Sequence, residues 1–230
     1  MDTAEITVSE PLSGSHELKF ELKAQRAAPA RAFLDATFRP DPDFPAGHVS
    51  TIYFDTPNLR FLREKANSDH LKSKARLRWY DDAASGPLFA EIKKKAGGRR
   101  LKQRARVIAR AADLVSAPLE SGAYRSVIEE LVALAAIPTG VSPILQINYG
   151  RRRYVDTTTG SRISLDTQIR VTRINTRLLS RFDPLPLRSA VLEVKGPEAE
   201  PLRRLGPLVS FGCHRAAFSK YLRCYEKACA

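Results

Sequence analysis

The feature that most narrows the choice of fold is an alternation. Lys72, Lys74, Arg76 and Arg78 fall at every second position, with Leu71, Ala75, Leu77 and Trp79 between them. A period of two puts the cations on one face of a strand and the apolar side chains on the other, whereas a helix would scatter both sets around its axis. The pattern returns at 16–23, where Glu17, Lys19 and Glu21 share a face, at 88–95 with Phe89, Glu91, Lys93 and Lys95, and at 99–109 with Lys102, Arg104 and Arg106. Turn formers separate the last three runs, at 81–87 and at Ala96, Gly97 and Gly98, so the three are read as a meander.

The rest of the chain fits around these strands. Residues 49–54 read as a further strand, ended by Asp55, Thr56 and Pro57, a cap-like pair before a proline suited to a first helical turn. Runs 144–155 and 162–171 flank a loop of Asp, Thr and Gly and form a hairpin, and 188–195 is a last strand that stops at Gly196 and Pro197. Helices are expected at 30–38, at 113–137 with a break around Gly122, at 201–209 and at 216–229. Residues 1–14 show no period and are expected to be a flexible leader, with 15–230 a single domain. The sum is an α+β chain of about eight antiparallel strands with peripheral helices.

Charge comes next. Lys plus Arg number 38 against 25 Asp plus Glu, a formal net charge of +13. Partners of such a chain are polyanions: nucleic acid, an anionic membrane surface or a phosphate-rich small molecule. No run approaches the roughly 18 apolar residues of a spanning helix, and the N-terminal residues lack the basic and apolar regions of a secretory signal, so a cytoplasmic protein is expected. Cys213, Cys224 and Cys229 have neither a zinc spacing nor a disulfide framework, and read as inert thiols.

A charged strand face by itself means only a solvated one. Here, however, carboxylates recur beside the cations: Glu17 with Lys19, Glu91 with Lys93, Glu193 with Lys195. A surface built only for nucleic acid gains nothing from Glu, which repels phosphate. A divalent cation reconciles the two, because Mg²⁺ or Mn²⁺ takes one or two carboxylates together with phosphate oxygens and water. Closing about eight such strands with the charged faces inward gives a barrel-shaped tunnel whose apolar faces meet the helices.

These residues also resemble a known family. Glu17 with Lys19 and Phe20, the run 53–56 (YFDT), the run 74–80 (KARLRWY), the run 91–95 (EIKKK), Lys102 to Arg104, Tyr149 to Arg151, 162–166 (RISLD), 192–195 (LEVK) and 218–221 (FSKY) follow one another as in the VTC-type polyphosphate polymerase domain. That domain belongs to the triphosphate tunnel metalloenzymes, or CYTH-like proteins. The resemblance covers roughly residues 15 to 225. It implies an eight-stranded antiparallel β-barrel tunnel that binds ATP or another triphosphate, or polyphosphate. With Mn²⁺ or Mg²⁺, the γ-phosphoryl group of ATP is transferred there to a growing chain. Carried over, Lys19, Arg76, Arg78, Lys93, Lys102, Arg104, Arg151, Arg162, Lys195 and Lys220 are expected phosphate ligands, with Arg76, Arg78, Lys93 and Lys220 acting in catalysis. Glu193 is the expected principal metal ligand, with Glu17 and Glu91 beside it. Some members carry a lysine where this chain has Ala217, although Arg215 is close in sequence.

Two other readings stand beside polymerisation. A tunnel with the same lining can hydrolyse inorganic triphosphate or a nucleoside triphosphate, and a binding module for nucleic acid would equally account for the charge. The aromatic residues, 8% of the chain, are not interleaved as a stacking platform and no nucleic-acid motif is present, so no specific nucleic acid is expected. Trp79, Tyr53 and Tyr149 are expected to pack, Arg152 to be solvated, the four histidines to be structural, and Gly97 with Gly98 to form a turn rather than a phosphate cradle.

Overall fold

The computed structural model describes residues 6–9, 16–81, 86–97, 99–107, 111–135, 137–197 and 202–228. Its strands are β1 (Ile6–Ser9), β2 (His16–Lys23), β3 (Arg39–Pro40), β4 (Ala46–Asp55), β5 (Leu71–Tyr80), β6 (Leu88–Ala96), β7 (Arg99–Val107), β8 (Ser142–Val155), β9 (Arg162–Ile174), β10 (Ser189–Gly196) and β11 (His214–Arg215). The helices are α1 (Ala27–Thr37), α2 (Arg60–Ala66), α3 (Ala111–Ser116), α4 (Arg125–Leu134) and α5 (Lys220–Ala228), with 3-10 turns at Ala24–Arg26, Gly122–Tyr124 and Arg203–Phe211.

All pairings are antiparallel and join the strands in the order β1, β7, β6, β5, β4, β8, β9, β10, β2, β11, with β3 beside β8. The expected barrel does not close among the described residues: the ladder is an open path that begins at β1 and ends at β11. Both ends are strands that period-two reading passed over, because four residues and two residues are too few to show a period. Ile6–Ser9 lies in the expected leader and pairs with 102–105 of β7. The expected helix at 216–229 starts only at Lys220, since Ala216 donates its N–H to the Lys19 carbonyl and continues the edge of β2. The expected helix at 201–209 is a 3-10 helix containing Pro207, which has no N–H to donate to an α-helical bond.

Three apolar layers hold the sheet. On the outside of β4 to β7, Ile52, Leu77, Trp79, Ile92 and Val107 pack against Val127, Leu131 and Leu134 of α4, as alternation requires. Outside β2, β9 and β10, Leu22, Leu165 and Leu192 meet Leu34 of α1 and Leu205 and Leu208 of the 3-10 helix. The third layer departs from the expectation that every inner face is charged. Leu145 and Ile147 of β8, Ile169 and Val171 of β9 and Val191 of β10 form an apolar group with Phe218, Tyr221 and Cys224 at and within α5. At about 2 kcal/mol for each large side chain sealed from water, each layer is worth many kcal/mol before the entropy of ordering is subtracted.

Cys213 and Cys224 are buried and not in a disulfide, and burial raises the Cys213 pKa to about 11, as an inert residue should show. Cys229 and Gly98 lie outside the described residues. Gly97 takes a left-handed turn at φ +57°, and an added Cβ there would come within 2.8 Å of the His70 ring. Arg152 is exposed.

Candidate functional site

Alternation in β5 turns Lys72, Lys74, Arg76 and Arg78 to the side away from Trp79, where they face a cavity of about 660 Å³. Lys93 of β6 and Lys102 of β7 join them, paired to each other in register. From the far arm of the sheet come Glu17 and Lys19 of β2, Glu193 and Lys195 of β10 and Arg151 of β8, and Lys220 reaches in from the first turn of α5. Among the described residues fourteen Lys and Arg side chains and two Glu line this one cavity. Fixed cations on facing walls with so few acids leave a strong positive potential that only an anion of several charges can neutralise.

The walls differ in chemistry. On the β5 side, Arg78 is 7% exposed, and its described hydrogen-bond partners are the hydroxyls of Thr51, 3.2 Å away, and Tyr149, 3.3 Å away. Arg76 donates from Nη2 to Glu91 at 2.6 Å and from Nε at 2.7 Å. Burial opposes the Arg76 charge, but Glu91 outweighs it and keeps the guanidinium charged beyond its ordinary range. Lys93 is different: burial, reinforced by Arg76 and Lys195, pulls its ammonium down to about 7. Lys102 is lowered by burial as well, against the pull of Glu91.

On the β2 and β10 side the carboxylates are interleaved with lysines. Lys19 Nζ lies 2.9 Å from Glu17 and 3.9 Å from Glu193, and Lys195 lies 2.9 Å from Glu193. Burial works against ionisation of Glu193, yet Lys195, Lys19, Arg151 and Lys220 together hold it well below the carboxylate range. Glu17 is held low by Lys19, Lys195 and Lys93 against burial and the neighbouring charge of Glu193. Both acids are therefore anionic at neutral pH.

The third expected acid is placed differently. Glu91 is 2% exposed, on the same face of β6 as Lys93 but outside the cavity lining, with Arg76 on β5 and Arg104 on β7 flanking it in register and Lys102 3.9 Å away. Arg104 Nε is 3.5 Å from Glu91, and its guanidinium lies 3.3 Å from the centre of the Phe89 ring. Glu91 and Arg104 thus support the wall instead of lining it. Arg162, at the first position of β9, is exposed and outside the cavity lining, although Lys195, its partner in register on β10, lines it.

Sequence reasoning missed Asp166. It is a fully buried residue of β9, in register with Arg151 of β8, and it accepts from Arg151 Nε at 2.6 Å and Nη2 at 2.7 Å and from Lys220 Nζ at 2.5 Å. Lys220 and Arg151 overcome burial and keep Asp166 ionised. One carboxylate thereby orients two cavity cations borne by different elements. Asp55 does the same for α5: it accepts from the backbone N–H groups of Thr56, Phe61 and Leu62 and from the Tyr221 hydroxyl. Tyr221 stacks on Tyr53 with ring centres 4.7 Å apart, and Tyr53 and Tyr149 both pack and border the cavity.

The site is thus a basic cavity with carboxylates in one wall, carried by an antiparallel sheet with helices on its outer face. The crystal structure of a putative adenylate cyclase from Bacillus halodurans shares the fold at 14% identity, with 90% of this chain and 95% of that one covered and a TM-score of 0.52. The PH1819 protein from Pyrococcus horikoshii aligns at 15% identity over 90% of this chain and 97% of its own, with a TM-score of 0.49. No curated protein is significantly similar in sequence. The chain belongs to the VTC domain family, whose sequence model matches residues 15–229.

Proposed function

We propose that the protein is a metal-assisted phosphotransferase that acts on triphosphate and polyphosphate, forming polyphosphate from the γ-phosphate of ATP. The observation that carries this reading is the cavity's imbalance of fourteen cations to two acids, with Arg78 sealed into the wall. Charges that converge on about 660 Å³ suit a slender chain of phosphoryl groups better than the broad surface of a duplex. Membership of the VTC domain family supports the same conclusion. Among the described residues no helix is long and apolar enough to cross a membrane.

Phosphoryl transfer through a loose transition state needs alignment and charge compensation more than covalent help. In this reading Arg76 and Arg78 supply fork-shaped donors to phosphate oxygens, and Lys19, Lys93, Lys102, Lys195, Arg151 and Lys220 act as further cations around the chain. Among the described residues no group of three or more His, Cys, Asp or Glu side chains could hold a metal by itself. Glu17 and Glu193, ionised in the cavity wall, fit Mg²⁺ or Mn²⁺ as a two-carboxylate set completed by phosphate oxygens and water. Such an ion would neutralise charge on the transferred group. Glu91 is given a different role, that of fixing Arg76.

The test is to incubate the protein with ATP and Mn²⁺ or Mg²⁺ while following free phosphate and long-chain polyphosphate. Polymer without stoichiometric free phosphate is expected. Free phosphate alone would make the protein a triphosphatase, and neither product, with tripolyphosphate still bound, would make it a binding protein. Tight binding of duplex DNA that tripolyphosphate does not compete would overturn the tunnel reading.

A further inference from the structure

Lys74 and Ser219 are absent from the expected ligand set, yet both line the cavity and touch each other: Lys74 Nζ donates to Ser219 Oγ at 3.1 Å. Ser219 is 3% exposed and sits on the extended segment leading into α5, so a strand from the middle of the sheet and the terminal segment meet here. The surroundings of this ammonium are nearly all cationic. Lys19 faces it from β2, Arg76 follows on its own strand, Lys65 comes from α2 and Lys220 from α5, and Lys93 is its partner in register on β6. The nearby acid on β4, Asp55, has its oxygens engaged by the α2 backbone and Tyr221. No described carboxylate lies within ion-pair distance of Lys74. Its single described side-chain partner is a neutral hydroxyl, which can also donate to an anion.

Building on the tunnel reading, we propose that Lys74 and Ser219 form a further phosphoryl subsite, and that filling it brings a proton onto Lys74. A multiply charged phosphate supplies the counter-charge that the protein withholds, so the ammonium form becomes favoured on binding. Ser219 turns its hydroxyl proton to a phosphate oxygen and accepts from the ammonium. No bond is made or broken, and the proton comes from buffer. The electrostatics of the protein alone agree, because burial together with Lys19 and Arg76 draws the Lys74 ammonium down to about 7. At pH 8 most of the free protein therefore carries neutral Lys74, and uptake from this residue approaches about one proton per site.

The experiment is calorimetric titration with tripolyphosphate at pH 8 and pH 6, in buffers of different ionisation enthalpy, on the wild type, Lys74→Arg and Ser219→Ala. At pH 8 Lys74→Arg, which cannot titrate in this range, is expected to take up about half to one proton fewer than the wild type, and at pH 6 the difference should vanish. Ser219→Ala is expected to bind roughly 5- to 10-fold more weakly at an unchanged melting temperature. Equal proton uptake by wild type and Lys74→Arg at pH 8, or unchanged affinity in Ser219→Ala, overturns the subsite while leaving the tunnel reading intact. If the wild type does not bind tripolyphosphate at all, the tunnel reading fails and the subsite with it.

Discussion

At the scale of single residues, the informative acids are those that hold cations in place. Arg76→Ala is expected to lower phosphoryl transfer by at least about 10²-fold, since it removes a fork of donors to the charge that develops. Because it also strips buried Glu91 of its closest partner, it should cost about 1 to 3 kcal/mol, to be read from denaturant unfolding. Asp166→Asn should raise the half-saturating tripolyphosphate concentration several-fold by loosening Arg151 and Lys220 together. It also carries a pH signature. Asp166 and Glu91 are held below their unfolded pKa, so the stability they contribute is complete above about pH 5 and is lost as acid protonates them. Asp166→Asn should therefore unfold with a shallower acid limb, measured as the melting temperature between about pH 5 and pH 3. Ten of the expected ligands were legible from alternation and motif order and do border the cavity, among them Arg78, Lys93 and Glu193. Asp166 stood in the motif at 162–166 but was given no role, because that role arises from its register with Arg151 and from α5, more than fifty positions later.

At the scale of elements, the terminal helix does what the strands alone cannot. Four acids from separate parts of the chain hold α5: Asp166 takes Lys220, Asp55 takes Tyr221, Glu21 lies 3.2 Å from Arg223, and Asp183 lies 2.6 Å from Lys227. Tyr221→Phe keeps the stack on Tyr53 but removes the hydroxyl from buried Asp55. A loss of about 1 to 2 kcal/mol is expected in denaturant unfolding, with weaker tripolyphosphate binding because Lys220 and Ser219 are next to it in the chain. Truncating Leu131, fully buried between α4 and the outer sheet face, should cost about 2 to 5 kcal/mol without altering the cavity chemistry. Strand positions followed from periodicity wherever a charged face opposed an apolar one, as in β5. β8 and β9 were also placed, as the hairpin of 144–155 and 162–171, but a charged inner face does not describe them, because α5 covers an apolar part of it.

At the scale of the whole molecule, the net charge of +13 is in part concentrated on one concavity. Self-repulsion there weakens the empty fold, so a ligand of opposite sign should stabilise it by mass action. Millimolar tripolyphosphate is expected to raise the melting temperature by several degrees, an effect that shrinks in high salt. An unchanged melting temperature at low salt would contradict the clustering of charge. Overall architecture could be read from strand number and charge balance, but closure could not: whether the ends of the sheet meet depends on β1 and β11, which are short and far apart in sequence.

The place of α5 in the chain has a consequence for how the protein is made. Residues 214–228 follow the other described strands and helices in the sequence, yet they carry Ser219 and Lys220 and close one side of the cavity. A nascent chain that has completed β2 to β10 still lacks the wall that α5 provides, and its inner apolar face on β8 and β9 is still uncovered. A chain with α5 undocked therefore exposes the apolar part of β8 and β9 and lacks Ser219 and Lys220 at the cavity, so exposure of greasy surface and loss of the binding site go together.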